Sequence, residues 1–132
     1  MFVSAKVKYG QGENVVSLST NNIEKTISIP AKSEGKGSSV NGAELLFLSL
    51  STCFCNDIYR EAAKRNLDIT SVEVITSGEF GKEGEAGSNV VYEVKIQSPA
   101  SADEINDLIR YTDSVAEIHK TIRLGTAVTL KM

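Results

Sequence analysis

Gly42-Ala43-Glu44-Leu45-Leu46-Phe47-Leu48-Ser49-Leu50-Ser51-Thr52-Cys53-Phe54-Cys55 is the stretch whose reading decides the fold, and it holds both cysteines of the chain. From Ala43 to Asn66 there is no glycine or proline, which predicts one helix over 43–66, about 36 Å long at 1.5 Å per residue. Its first half is apolar nearly all round, so burial on several sides is expected. Its second half, with Tyr59, Arg60, Glu61, Lys64 and Arg65, is amphipathic and ends in cations, where the helix dipole favours them. A helix of this length with so apolar a half is more than a small domain can cover alone. The expectation is therefore a stable homodimer, since a monomer would expose a large apolar patch.

Outward from the helix, the N-terminal third reads as a β-meander. Val3, Ala5, Val7 and Tyr9 alternate, Gly10-Gln11-Gly12 turns the chain, and Val15-Val16-Ser17-Leu18 follows. Asn21-Asn22 turns it again, and Ile23, Ile27 and Ile29 lead to Pro30. The segment 31–42, with three glycines and three serines, reads as a loop. Beyond the helix, 72–75 and 90–96 read as the two strands of a β-hairpin around a glycine-rich loop over 81–89. Ser101 and Glu104, at capping-box spacing, open a second helix with Ile105, Leu108 and Ile109 on its apolar stripe. A third, shorter helix runs from Asp113 to about Ile122 and ends at Gly125, and 126–131 alternates as a final strand. The class is α+β, expected as one domain over 1–132.

Composition excludes several functions. With 132 residues, 41% apolar and 23% charged, the chain is of ordinary globular type. A formal charge of −3 and scattered basic residues argue against nucleic-acid binding. The near-apolar run from Leu45 to Leu50 is far short of the ~20 residues of a membrane span. No secretory signal is read at the start, so a cytoplasmic location with reduced thiols is expected. Two cysteines in that setting are either redox-active or inert packing groups.

On a helix Cys53 and Cys55 point about 200° apart, so they cannot form an unstrained disulfide while the helix holds. One should face a site or interface and the other the core. The only histidine, His119, together with two divergent thiols offers no zinc-ligand spacing, and no metal or cofactor is expected. Neither a Ser-His-Asp order, a phosphate-binding glycine loop nor an HExxH run occurs.

The run from Gly42 to Phe54 resembles the signature of the OsmC/Ohr-like proteins, where an ELL-type opening leads into a long helix of small and apolar residues that carries a cysteine. The resemblance continues through Arg65-Asn66-Leu67-Asp68-Ile69-Thr70-Ser71-Val72-Glu73-Val74. It extends to Ala116-Glu117-Ile118-His119-Lys120-Thr121-Ile122, followed by Gly125. It implies an intertwined homodimer with paired central helices and active sites at the dimer interface. It also implies reduction of organic hydroperoxides by a cysteine thiol, with Cys53 as the attacking group. Glu44 stands where the family's ELL branch has its glutamate, and is a candidate catalytic carboxylate and equally a first-turn helix residue. Phe47, Thr52, Phe54, Tyr59 and His119 are candidate pocket residues that would favour an apolar peroxide, and Cys55 is a possible secondary thiol.

Two departures stand out. Ala116 occupies the position of the family's second, resolving cysteine, so an external thiol would have to recycle the sulfenic acid. The family's N-terminal arginine has no counterpart before Arg60, which leaves Lys6, Lys8, Lys32 and Lys36 as N-terminal cations. The sequence therefore supports a one-cysteine thiol peroxidase, or alternatively a small-ligand-binding or redox-sensing dimer on the same scaffold.

Overall fold

Two-residue turns shape the N-terminal third. Gln11 and Gly12 both adopt positive φ (54° and 78°), as do Asn21 and Asn22 (48° and 66°), the geometry that lets a tight hairpin follow the twist of its strands. They join β1 (Val3–Gly10), β2 (Glu13–Thr20) and β3 (Ile23–Lys25) into an antiparallel sheet of order β1-β2-β3. The meander is as the sequence indicates, although β3 ends at Lys25 rather than running on to Ile29. Asn14 Nδ2 instead donates to the Ile29 carbonyl at 3.1 Å, and Pro30 has no N–H to extend the ladder.

The computed structural model describes residues 1–132, and the chain divides into two units, Met1–Leu45 and Leu46–Met132. In the first unit Val16 is the one buried hydrophobic residue, while Val3, Val7 and Val15 are exposed.

The long helix α1 (Gly42–Lys64) begins at a capping box. Asn41 Oδ1 accepts from the Glu44 N–H at 2.8 Å, and Glu44 Oε1 accepts from the Asn41 N–H at 2.9 Å. It ends in a Schellman motif, with Leu67 N donating to Ala62 O and Asn66 N to Ala63 O, and Asn66 at φ 55°.

In the second unit α1 is followed by β4 (Ser71–Glu79), β5 (Ser88–Gln97), α2 (Ala102–Val115) and α3 (Glu117–Arg123). β4 and β5 pair antiparallel, with Val72 opposite Ile96, Val74 opposite Val94 and Thr76 opposite Tyr92 on the inner face. That period-2 face packs on a core of Phe54, Ile58, Ala62, Leu108 and Ala116. Ser51 Oγ and Thr76 Oγ1 share a hydrogen bond of 2.8 Å that fixes α1 against the hairpin. Ser101 caps α2 by the expected reciprocal bonds with Glu104. None of the helices is long and apolar enough to cross a membrane.

Two further expectations are corrected. Asp113 does not open the third helix: it lies within α2, and α3 starts at Glu117 after Ala116, with no side-chain cap. The segment 126–131 forms no strand, with Val128 fully and Leu130 largely exposed. Its alternation is that of a strand, but neither sheet of the chain offers it a paired edge. The helix, in turn, is covered by its own chain along one face only. Leu50, Phe54, Asp57, Ile58, Glu61 and Ala62 are buried, whereas Leu48 remains 60% and Tyr59 44% exposed.

Candidate functional site

Helical spacing places three side chains of α1 in a row, at Cys53, Asp57 and Arg60. The Cys53 thiol donates to Asp57 Oδ2 at 3.6 Å. The other oxygen of Asp57 meets Arg60 at 3.0 Å, and the same guanidinium reaches Glu61 at 2.7 Å and Glu117 of α3 at 3.3 Å. The backbone amide of Ile118, in the first turn of α3, is directed at the Cys53 sulfur. The α2–α3 junction thus lies against Cys53, with Ala116 fully buried where the core closes.

The electrostatics oppose ionisation of the thiol. Burial pushes the Cys53 pKa up, and the charges of Asp57 and Glu117 push it the same way, while the Ile118 amide works against them. Asp57, only 5% exposed, is also held above the usual carboxylate range, by burial and by Glu117, with Arg60 opposing. Both groups therefore favour their protonated forms more than they would in water. One sulfur and two carboxylates, from Cys53, Asp57 and Glu117, come within 4.8 Å of one another. Arg60 already bridges both carboxylates, so this cluster is neutralised by a guanidinium and is not left open to a cation.

Below it lies an aromatic stack. The rings of Phe54, Tyr92 and His119 are mutually within 4.7–5.6 Å. His119 is 4% exposed, and neither ring nitrogen has a hydrogen-bond partner in the protein. Burial holds its pKa below the ordinary value, with Arg123 adding to the effect. Tyr92 OH donates to Asp113, which also pairs with Arg123 at 2.8 Å.

The sequence candidates fall as follows. Cys53 is half-buried at the centre of the network. Cys55 is also a free thiol, turned to the other side of α1, where it lines a cleft of about 230 Å³ with Ser51, Thr52, Asn56 and Val74. Glu44 is engaged in the α1 cap, which commits its carboxylate to the Asn41 N–H. The five candidate pocket residues do not line one pocket within the chain. Phe54 and His119 stack in the core, Phe47 packs on Phe80 with ring centroids 6.1 Å apart, and Thr52 and Tyr59 are on the open face. Large rings at core positions are drawn inward by the hydrophobic effect, and residue type alone does not distinguish lining from filling. Lys6, Lys8, Lys32 and Lys36 belong to the N-terminal unit, and the cation that engages the partner of Cys53 is Arg60.

Asp57, Arg60, Glu117 and the Ile118 amide were not singled out from sequence. The i,i+4 step from Cys53 to Asp57 and the i,i+3 step to Arg60 were the readable signal. Glu117 arrives from a distant element and left none.

Residues 35–131 match the family model described as OsmC-like protein. No curated protein sequence matches the chain. Among solved structures, the OsmC-like protein from Mycoplasma pneumoniae superimposes with a TM-score of 0.68 at 16% identity, over 93% of this chain and 88% of that one. An organic hydroperoxide resistance protein from Legionella pneumophila gives 0.63 at 17% identity, over 93% and 90%. Another from Elizabethkingia anophelis, with thiocyanate bound, gives 0.62 at 18%, over 93% and 89%. At these identities the likeness is one of fold.

Proposed function

The chain belongs to the OsmC-like protein family, and from that premise we propose that it is a one-cysteine, thiol-dependent peroxidase that reduces organic hydroperoxides at Cys53. The observation that carries the reading is the placement of Cys53. It is a half-buried free thiol facing the first turn of α3, hydrogen-bonded to a carboxylate that an arginine holds in place. The solved relatives named for organic hydroperoxide resistance support the same chemistry.

In this reading the Cys53 thiolate attacks the peroxide, an S–O bond forms as the O–O bond breaks, and the product is a sulfenic acid and an alcohol. Cys55 points to the other side of the helix and Ala116 has no thiol. An external thiol, abundant in a reducing compartment such as the cytoplasm, therefore restores Cys53 in two steps and releases water. The chain acts as one domain over 1–132 and as a homodimer. The stripe of exposed Leu48, Thr52 and Tyr59 with half-buried Cys55, at 4-3-4 spacing along α1, is the face a second α1 would cover.

A second reading, a redox-sensing or ligand-binding dimer without turnover, is favoured by one observation. The thiol is biased toward its protonated form, which slows any reaction that needs the thiolate. Consumption of cumene hydroperoxide and of hydrogen peroxide, with dithiothreitol or dihydrolipoamide as reductant, separates the two. The peroxidase consumes cumene hydroperoxide faster than hydrogen peroxide and loses this on Cys53→Ser. No consumption by a folded dimer would leave the second reading standing.

A further inference from the structure

The thiol–carboxylate pair points to more than the identity of the nucleophile. We propose that Asp57 is the proton shuttle of the peroxidase step, taking the proton of Cys53 and delivering it to the departing alkoxide. The proposal rests on the peroxidase reading above.

Its geometry is that of a relay with one free direction. Asp57 Oδ2 is the acceptor of the Cys53 thiol at 3.6 Å, while Oδ1 is pinned by Arg60 at 3.0 Å. The ion pair thus orients the carboxylate with its other oxygen toward the sulfur. Arg60 is itself fixed by Glu61 and Glu117, which leaves it little freedom to swing onto the sulfur as a direct thiolate partner. The charged or titratable groups that act on Asp57 are Cys53 and Arg60 on its own helix, and Glu117 and His119 on α3. Burial and Glu117 make Asp57 a better proton holder than a solvated carboxylate.

The step balances without a further reagent. The proton of the Cys53 thiol moves to Asp57 Oδ2. The thiolate attacks the terminal oxygen of ROOH, the S–O bond forms, and the O–O electron pair leaves on RO⁻. Asp57 returns its proton to RO⁻, giving ROH, and the hydroxyl hydrogen of the sulfenic acid is the one the hydroperoxide carried. Cys53 is oxidised by two electrons and the peroxide is reduced by two. An alkoxide is a poor leaving group unless it is protonated, so the assistance matters most for alkyl hydroperoxides.

The test compares Asp57→Asn with wild type in three single-turnover reactions of Cys53 at pH 7. These are alkylation by iodoacetamide, oxidation by tert-butyl hydroperoxide, and oxidation by peracetic acid, whose leaving acetate needs no proton. Removing the Asp57 charge lowers the thiol pKa, so alkylation becomes faster. Oxidation by peracetic acid is maintained or rises, and oxidation by tert-butyl hydroperoxide falls by about 100-fold, as expected for loss of positioned proton transfer. Equal slowing of all three reactions would show a merely structural residue and overturn the proposal. An unchanged tert-butyl hydroperoxide rate would overturn it while leaving the peroxidase standing. Wild type inert to both oxidants would remove the peroxidase reading and this step with it. If Asp57→Asn does not fold, wild type alone decides. The proposal requires a normal solvent deuterium isotope effect with tert-butyl hydroperoxide that disappears with peracetic acid, and equal effects would refute it.

Discussion

His119 and Asp113 respond to acid in the same sense for different reasons. The imidazole is buried between Phe54 and Tyr92 with both nitrogens unpartnered, and its pKa in the fold is below that of the unfolded chain. The unfolded state therefore takes up a proton first, and stability is lost as pH falls through the ordinary histidine range. His119→Phe keeps a ring in the stack and removes the unpartnered nitrogens, each an expense of about 1–3 kcal/mol when buried. The melting temperature of this variant should exceed that of wild type at pH 7, and the gap should widen at pH 5. Asp113 is held below the usual carboxylate range, first by its bond to Arg123. Its contribution is present above the unfolded-state value and is lost as pH falls through the folded one. Asp113→Asn should therefore lower the melting temperature at pH 7 and converge on wild type in strong acid. The loss should stay within about 1 kcal/mol, because the Arg123 pair is largely solvated.

Among the elements, those whose signals are local were legible in the sequence. The hairpin turns follow from Gly12 and from the asparagines that tolerate positive φ, and the α2 start follows from Ser101 and Glu104. The α1 start obeys the same rule through Asn41 and Glu44. There Glu44, equally a catalytic candidate and a first-turn helix residue by sequence, is held in the cap by Asn41. Asn41→Ala should destabilise the protein by about 1 kcal/mol in denaturant titrations, as loss of a helix cap does. What was not legible depends on contacts between distant elements. Whether 126–131 is a strand depends on finding an edge, which its own alternation does not supply. Cys53 is visible from its neighbours. Asp57 and Arg60 carry a readable signal in their helical spacing from it that the sequence reading did not use, and the closing contact with Glu117 requires the α2–α3 junction to be in place. Glu117→Gln, which removes a charge that raises the Cys53 pKa, should speed alkylation of Cys53 by iodoacetamide at pH 7.

The whole chain leaves 9933 Å² accessible to solvent. Two independent globules of the sizes of its two units would expose about 8,000 Å², so the excess does not depend on how the units are arranged. The apolar stripe of α1, the exposed valines of β1 and β2 and the bare segment 126–132 all contribute to it. Sedimentation at micromolar concentration should give a dimer, and Leu48→Lys, which charges the α1 stripe, should shift it toward monomer. If the proposed dimer forms in this way, each copy completing its core with surface from the other, the single chain has no stability of its own to quote. Folding and encounter become a single event governed by mass action. Its melting temperature should then climb with protein concentration, and diluting the protein would act on it as a denaturant does on a monomer.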